Sequence, residues 1–203
     1  MFILNLPNKL TIFRIILVPI MVIVTFLNLD SSFLNIPITY WILNIIFIIA
    51  SYTDRLDGKL ARKNNQITTF GKFADPLADK ILVLAAMLIL VEDGNLPAWI
   101  PIIVIFREFV VSGYRLIAVE KGGIVIPANI WGKIKTVTQM IGIILMFINI
   151  NESNIYGACI NGNLTGTELA INILATLFIT ISVVATIFSG WTYIKGGKDL
   201  LKD

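Results

Sequence analysis

Histidine is absent from this chain of 203 residues, and Cys159 is its only cysteine. These absences exclude imidazole catalysis, zinc sites built from His and Cys, and disulfides within the chain. Charged residues are scarce, at 14%, whereas hydrophobic residues make up 57% and the mean hydropathy is +0.85. Because a soluble domain of this length is far less apolar, the composition predicts an integral membrane protein. Cys159 falls in a polar stretch that we expect to form a loop, and it has no basic neighbour, so we expect no catalytic role for it.

Six hydrophobic stretches are long enough to form spanning helices, each of which needs about 20 mainly apolar residues. They run from Leu10 to Leu27, Ile36 to Tyr52, Phe73 to Val91, Trp99 to Val119, Ile130 to Ile150 and Leu169 to Ile194. The sequence therefore predicts an all-α integral membrane protein with six transmembrane helices, in a single domain over residues 1–203. We expect Tyr193, near the end of the sixth stretch, to be an interfacial anchor without a catalytic role.

Basic residues are unequally distributed among the connections between these stretches. The connections after the first, third and fifth spans contain no Lys or Arg, whereas the other two connections and both ends of the chain carry them. By the positive-inside rule, this alternation predicts that both termini are cytoplasmic. The connection between the second and third spans then faces the cytoplasm as well.

The ends of the second and third spans carry four carboxylates at helical spacing. Asp54 and Asp57 fall on one stripe of a helix, and Asp75 and Asp79 form an i, i+4 pair. A short turn around Gly71 would bring the two helix ends side by side. Such close like charges repel unless cations bind between them, and ligation by oxygen alone is typical of Mg²⁺, Mn²⁺ or Ca²⁺. The pattern favours a divalent-metal site over an ordinary solvated loop of ion pairs, which is the alternative interpretation.

Small residues and an arginine accompany these carboxylates. Gly58, Ala61 and Gly71 leave room for a bulky nucleotide to approach the backbone. Arg62 offers a forked donor to phosphate oxygens. Two metal ions in such a site can clamp a phosphate diester while a carboxylate takes the proton from a nucleophile. We therefore place the active site at the cytosolic ends of helices 2 and 3.

The order and spacing of these residues resemble the motif of the CDP-alcohol phosphatidyltransferase family. All eight fixed positions match: Asp54, Asp57, Gly58, Ala61, Arg62, Gly71, Asp75 and Asp79. The resemblance implies two Mg²⁺ or Mn²⁺ ions held by Asp54, Asp57, Asp75 and Asp79, with Asp79 also acting as the base on the acceptor hydroxyl. It implies a CDP site formed by Asn8, Thr11, Asp57, Gly58, Ala61, Arg62 and Gly71. It further implies six transmembrane helices, a CDP-diacylglycerol substrate held in membrane lipid, and a homodimer; no nucleic-acid partner is expected.

Four cations on the fourth and fifth spans lie near the cytosolic face without enough nearby acids to pair with all of them. They are Arg107, Arg115, Lys133 and Lys135. Glu108 could pair with one of these cations, and a phosphate-bearing acceptor would supply the missing negative charge. This segment resembles the branch of the family whose acceptor is glycerol 3-phosphate. The resemblance thus implies transfer of a phosphatidyl group to glycerol 3-phosphate with release of CMP.

Two other interpretations stay open at this point. A sister enzyme of the same family would use phosphatidylglycerol, inositol phosphate or serine as its acceptor, and the four cations alone do not exclude inositol phosphate. A cation transporter also carries carboxylates inside its spans. A transporter is expected to place its acids deeper in the membrane, and it has no use for the Gly, Ala and Arg spacing.

Overall fold

The computed structural model describes residues 5–27, 29, 31–34, 36–63, 69–120, 130–148, 154–161, 164 and 166–196. These residues form seven helices and two short strands. The helices are α1 (Leu6–Phe26), α2 (Ile38–Lys63), α3 (Thr69–Glu92), α4 (Trp99–Glu120), α5 (Ile130–Ile148), α6 (Ile155–Asn161) and α7 (Gly166–Gly196). The strands β1 (Ser32–Phe33) and β2 (Ile36–Pro37) pair antiparallel, with Ser32 opposite Pro37 and Phe33 opposite Ile36.

The six long helices coincide with the six predicted hydrophobic stretches, so the predicted all-α class is confirmed. Among the described residues, three helices are long and apolar enough to cross a membrane: α1 from Asn8 onward, α5 and α7. The apolar part of α2, Ile38–Asp54, is shorter. The charged residues of α2, α3 and α4 lower the hydropathy of these helices. The chain is a membrane protein with several candidate spans, and the complete set of six spans stays a prediction.

Two connections contain structure that the hydrophobic pattern did not predict. After α1 the chain forms the β1–β2 pair, in which Leu34 adopts a positive φ of 55°. The stretch around Cys159, predicted to be a loop, contains α6 instead. The side chain of Asn154 accepts a hydrogen bond from the Gly157 amide at 2.9 Å, which is the usual contact of a helix N-cap. A helix of this length is too short to show a clear apolar period in the sequence.

The chain divides into two compact units, and unit 1 comprises Met1–Asn95 and Met146–Glu152. In unit 1, α1 packs against both α2 and α3. The rings of Phe47 and Phe147 meet edge to face in its core, with 6.4 Å between their centroids. Gly71, Ala74 and Ala78 are buried on α3. Such small side chains let neighbouring helices approach closely beside the motif carboxylates.

Unit 2 comprises Leu96–Leu145 and Ser153–Asp203. Here α7 packs against α4 and α6. It also contacts α5 at Gly142, where an added Cβ would come within 2.7 Å of the Ile179 side chain. Large apolar side chains on α4, such as Phe109 and Leu116, are exposed. Exposed apolar surface of this kind suits contact with lipid chains.

Candidate active site

Three polar side chains of α1 share one face of the helix. Asn8, Thr11 and Arg14 follow one another at intervals of three residues, and all three are buried. Thr11 and Arg14 have no exposed surface at all, each at 0%. Because a buried polar group is destabilising unless it is bonded, this face must meet polar groups of neighbouring helices.

The partners of this face are two of the motif carboxylates. Arg14 Nη1 lies 2.9 Å from Asp54 Oδ1 on α2, and the Asp54 side chain keeps 32% of its surface exposed. The Thr11 hydroxyl donates a hydrogen bond to Asp75 Oδ1 on α3. One helix therefore holds an acid from each of its two neighbours, which brings the motif ends of α2 and α3 together against α1.

Asp79 lies one helical turn after Asp75 on α3, and its Oδ1 atom is buried. Gly71 lies one turn before Asp75 and is buried too, so these three motif residues occupy one face of α3. We call Asp54, Asp75 and Asp79 the acidic region. The remaining motif positions fall on α2, and their side chains lie outside the described residues: Asp57, Gly58, Ala61 and Arg62.

The acidic region has the donor chemistry of a site for a hard divalent cation. The sequence contains no histidine, so carboxylate and hydroxyl oxygens are the available donors here. Within the described ranges, no three acidic or thiol side chains lie close enough together to form a metal site. Because the predicted ligand Asp57 is not among the described side chains, the four-carboxylate site stays a prediction.

Unit 2 carries the four cations that the sequence predicted to meet the acceptor, and we call Arg107, Arg115, Lys133 and Lys135 the basic cluster. Glu108 pairs with two of these cations, although one partner was expected. Its Oε1 atom lies 2.7 Å from Arg107 Nη1 and 2.6 Å from Lys135 Nζ. Lys135 is buried, with 9% of its side chain exposed. These contacts fix Arg107 and Lys135 against one carboxylate between them.

The other two cations of the basic cluster have different surroundings. Arg115 Nη2 donates a hydrogen bond to the Tyr193 hydroxyl at 3.0 Å. Lys133 is exposed and forms no hydrogen bond or ion pair with any described residue. A cavity of about 490 Å³ is lined by both of them, together with Arg107, Thr136 and Tyr193. The cluster thus presents positive charge to a space large enough for a small phosphorylated molecule.

Sequence reasoning missed three residues that hold these sites. The ion pair of Arg14 was not anticipated, although its spacing after Asn8 and Thr11 was visible in the sequence. Ser189 accepts a hydrogen bond from Arg107 Nη2, and Tyr193 contacts Arg115. The contacts of Ser189 and Tyr193 join positions about 80 apart in the chain, and no local pattern signals such a pairing.

A second cavity of about 490 Å³ lies elsewhere in unit 1 and is lined by Thr39, Tyr40 and Asp93, among others. Tyr40 and Asp54 are 14 positions apart on α2, which separates them by about 21 Å along the helix. Burial raises the pKa of Asp93, while a hydrogen bond from Tyr40 acts in the opposite direction. None of the predicted site residues lines this cavity, so it is not part of the candidate active site.

Known proteins are similar in sequence to this chain over nearly its whole length. A family model described as CDP-alcohol phosphatidyltransferase matches residues 4–188. A Bacillus subtilis protein named CDP-diacylglycerol–glycerol-3-phosphate 3-phosphatidyltransferase is 42% identical over 203 residues, covering 98% of this chain and 97% of that protein. A Haemophilus influenzae protein of the same name is 37% identical over 203 residues, covering 98% and 96%. One from Rickettsia bellii is 32% identical over 195 residues, covering 96% of each chain.

Proposed function

The chain belongs to the CDP-alcohol phosphatidyltransferase family, and we propose that it transfers the phosphatidyl group of CDP-diacylglycerol to sn-glycerol 3-phosphate. The products would be phosphatidylglycerophosphate and CMP. The observation that carries this choice of acceptor is the similarity, over nearly the whole chain, to relatives named for glycerol 3-phosphate, and the cavity lined by Arg107, Arg115 and Lys133 supports it. Three cations around one space suit an acceptor with a phosphate group, which carries more negative charge than the single carboxylate of serine, itself offset by the ammonium group of serine.

Asp79 is the base in this proposal. The primary hydroxyl of glycerol 3-phosphate attacks the phosphorus that bears diacylglycerol, and Asp79 takes the proton of that hydroxyl. A new bond forms between the acceptor oxygen and phosphorus, while the bond from this phosphorus to the CMP oxygen breaks and CMP leaves. The position of Asp79 supports the assignment, because it lies one helical turn after Asp75 on α3 with its Oδ1 atom buried.

Asp54, Asp57, Asp75 and Asp79 would hold two divalent cations, either Mg²⁺ or Mn²⁺. When bound, the ions offset the negative charge of the diphosphate in CDP-diacylglycerol. The contacts from α1 support this ligand set, because Arg14 and Thr11 already orient two of the carboxylates. For the CDP group we propose contacts with Asn8, Asp57, Gly58, Ala61, Arg62 and Gly71. The remaining residue of the CDP site that the resemblance implies, Thr11, donates its hydroxyl to Asp75.

The experiment that tests the function is CMP release from CDP-diacylglycerol by the purified protein in detergent. Glycerol 3-phosphate, inositol phosphate, phosphatidylglycerol and serine are compared as acceptors, with Mg²⁺, with Mn²⁺ and with a chelator. We expect release with glycerol 3-phosphate that stops when the chelator is added. Release with another acceptor would identify a sister enzyme, and no release with any acceptor would contradict the enzyme assignment.

For the topology we propose that the six long helices span the membrane with both termini in the cytoplasm. The distribution of Lys and Arg among the connections supports this orientation. In a Cys159→Ser background, Ser32→Cys should react with an impermeant maleimide in intact cells, and Lys195→Cys should react only after lysis. The reverse pattern would overturn the orientation. The family resemblance also leads us to propose a homodimer, which light scattering in detergent would test.

A further inference from the structure

The geometry points to Tyr193 as a positioning residue for the acceptor site, an inference that rests on the proposed function. Tyr193 is buried on α7, with 3% of its surface exposed. Its ring faces two members of the basic cluster, with 5.8 Å from the ring centroid to the guanidinium carbon of Arg107 and 5.7 Å to that of Arg115. Its hydroxyl accepts the hydrogen bond from Arg115. One side chain therefore contacts both arginines that line the cavity.

The two arginines need such a contact because they repel each other. They are eight positions apart on α4, or about 12 Å along the helix, yet their guanidinium groups meet at a single ring. The negative face of an aromatic ring attracts a cation within about 6 Å of its centroid. Tyr193 thus offsets part of the repulsion while leaving the positive charge available to a phosphate group.

Arg115 depends on Tyr193 more than Arg107 does. Arg107 is also held by Glu108 and Ser189, and its side chain is 12% exposed. Arg115 is exposed, and the ring and hydroxyl of Tyr193 are its described side-chain contacts. A free arginine side chain loses rotamer entropy when it becomes ordered. Because Tyr193 orders Arg115 before the acceptor arrives, the acceptor binds without that loss.

The sequence of α7 supports this arrangement. Ser189 and Tyr193 are four positions apart and share a face of the helix, so both reach towards α4. Gly190 lies between them, and a Cβ at this position would be 3.5 Å from the Cγ atom of Arg107. The last turns of α7 therefore form a polar support for the arginines.

The test is steady-state kinetics of Tyr193→Phe and Tyr193→Leu, with CMP release measured against each substrate separately. Tyr193→Phe keeps the ring and loses the hydroxyl, so we expect the acceptor KM to rise roughly three- to tenfold. Tyr193→Leu loses both contacts, so we expect a rise of roughly ten- to a hundredfold. The kcat and the KM for CDP-diacylglycerol should stay within about twofold in both variants, because binding of the acceptor alone is affected.

Two reference variants separate the possible results. Tyr156→Phe removes a hydroxyl that contacts Thr180 in the same unit, and we expect wild-type kinetics from it. Lys133→Ala should raise the acceptor KM whatever the role of Tyr193.

If Lys133→Ala raises the acceptor KM and neither Tyr193 variant does, the positioning role is wrong and the proposed function stands. If both Tyr193 variants lower kcat and impair CDP-diacylglycerol binding equally, the role of Tyr193 is structural and the inference also fails. If glycerol 3-phosphate does not stimulate the wild-type protein, the proposed function itself fails.

Discussion

The two charged regions of this membrane protein use opposite charges in the same way. In unit 1 a buried cation, Arg14, holds an acid that stays partly exposed, Asp54. In unit 2 a carboxylate, Glu108, lies between two cations of the basic cluster while Arg115 and Lys133 line a cavity. In each region, one residue whose charge is opposite to that of its neighbours pairs with them and holds them in place. The surplus charge is negative in the acidic region and positive in the basic cluster.

The largest expected effect comes from removing the proposed base. Asp79→Asn keeps the shape of the side chain but not its capacity to take a proton, so we expect kcat to fall at least about a hundredfold. CMP release under saturating substrates measures this fall. The protein should still insert into the membrane, because no apolar surface is altered.

Asp93→Asn is the matched control for this variant. Asp93 directly follows α3, the helix that carries Asp79, and lines the cavity outside the candidate active site. An asparagine there still accepts a hydrogen bond from Tyr40, so we expect activity close to that of the wild type. Equal losses in the two variants would mean that α3 is sensitive to any lost charge, and Asp79 would not be the base.

The acidic region was predictable from the sequence to the extent that its signals are local. The spacing of Asp75 and Asp79 on one helix face is visible in a single stretch of sequence. The same holds for the six long helices, since each lies in a single, mainly apolar stretch of sequence. The contact of α1 with both neighbours was not predictable, because the ion pair between Arg14 and Asp54 depends on how the helices pack.

The basic cluster shows the limit of counting charges. The sequence indicates four cations and one nearby acid, but it does not show which of the cations form ion pairs with that acid. In the structure Glu108 forms ion pairs with Arg107 and Lys135. Arg115 contacts Tyr193 of α7, which lies 78 residues later in the chain. Contacts between residues so far apart leave no periodic pattern in the sequence. An aromatic residue near the end of a span, such as Tyr193, cannot be distinguished in the sequence from an interfacial anchor.

The second prediction concerns Arg14, the buried cation that pairs with Asp54 in unit 1. Arg14→Gln leaves Asp54 without its ion-pair partner, and the partial exposure of Asp54 limits the damage. We expect the free energy of unfolding to fall by about 1–3 kcal/mol, measured by unfolding in detergent. Arg14→Lys keeps the charge and should lose less.

Lys9→Gln removes an exposed charge from the same helix and should change the free energy of unfolding by no more than about 0.5 kcal/mol. A double-mutant cycle with Asp54→Asn should give a coupling of about 0.5–3 kcal/mol between Arg14 and Asp54. A coupling near zero would show that Arg14 stabilises the protein by packing and does not hold Asp54.

The third prediction separates the two lysines of the basic cluster. Lys133→Ala should raise the acceptor KM about tenfold through the loss of one charge-assisted contact, with unchanged thermal stability. Lys135→Ala should lower thermal stability, because it removes a partner of Glu108, whose side chain is only 17% exposed. Kinetics and thermal unfolding of both variants measure the difference. If the two variants behave alike, the distinction between a lysine that holds the cluster and one that meets the ligand is wrong.

The smallest expected effect is at Thr11, for which the resemblance and the structure give different roles. The resemblance implies contact with the nucleotide, whereas the structure shows its hydroxyl donating to Asp75. Thr11→Val keeps the shape and removes that bond, so we expect a loss of about 1 kcal/mol in the free energy of unfolding. The KM for CDP-diacylglycerol should change less than about threefold, and Thr11→Ser should behave like the wild type.

A tenfold rise in the KM of Thr11→Val for CDP-diacylglycerol, without a change in stability, would instead assign the hydroxyl to the nucleotide. Asp75 would then be held in unit 1 by contacts other than this hydrogen bond.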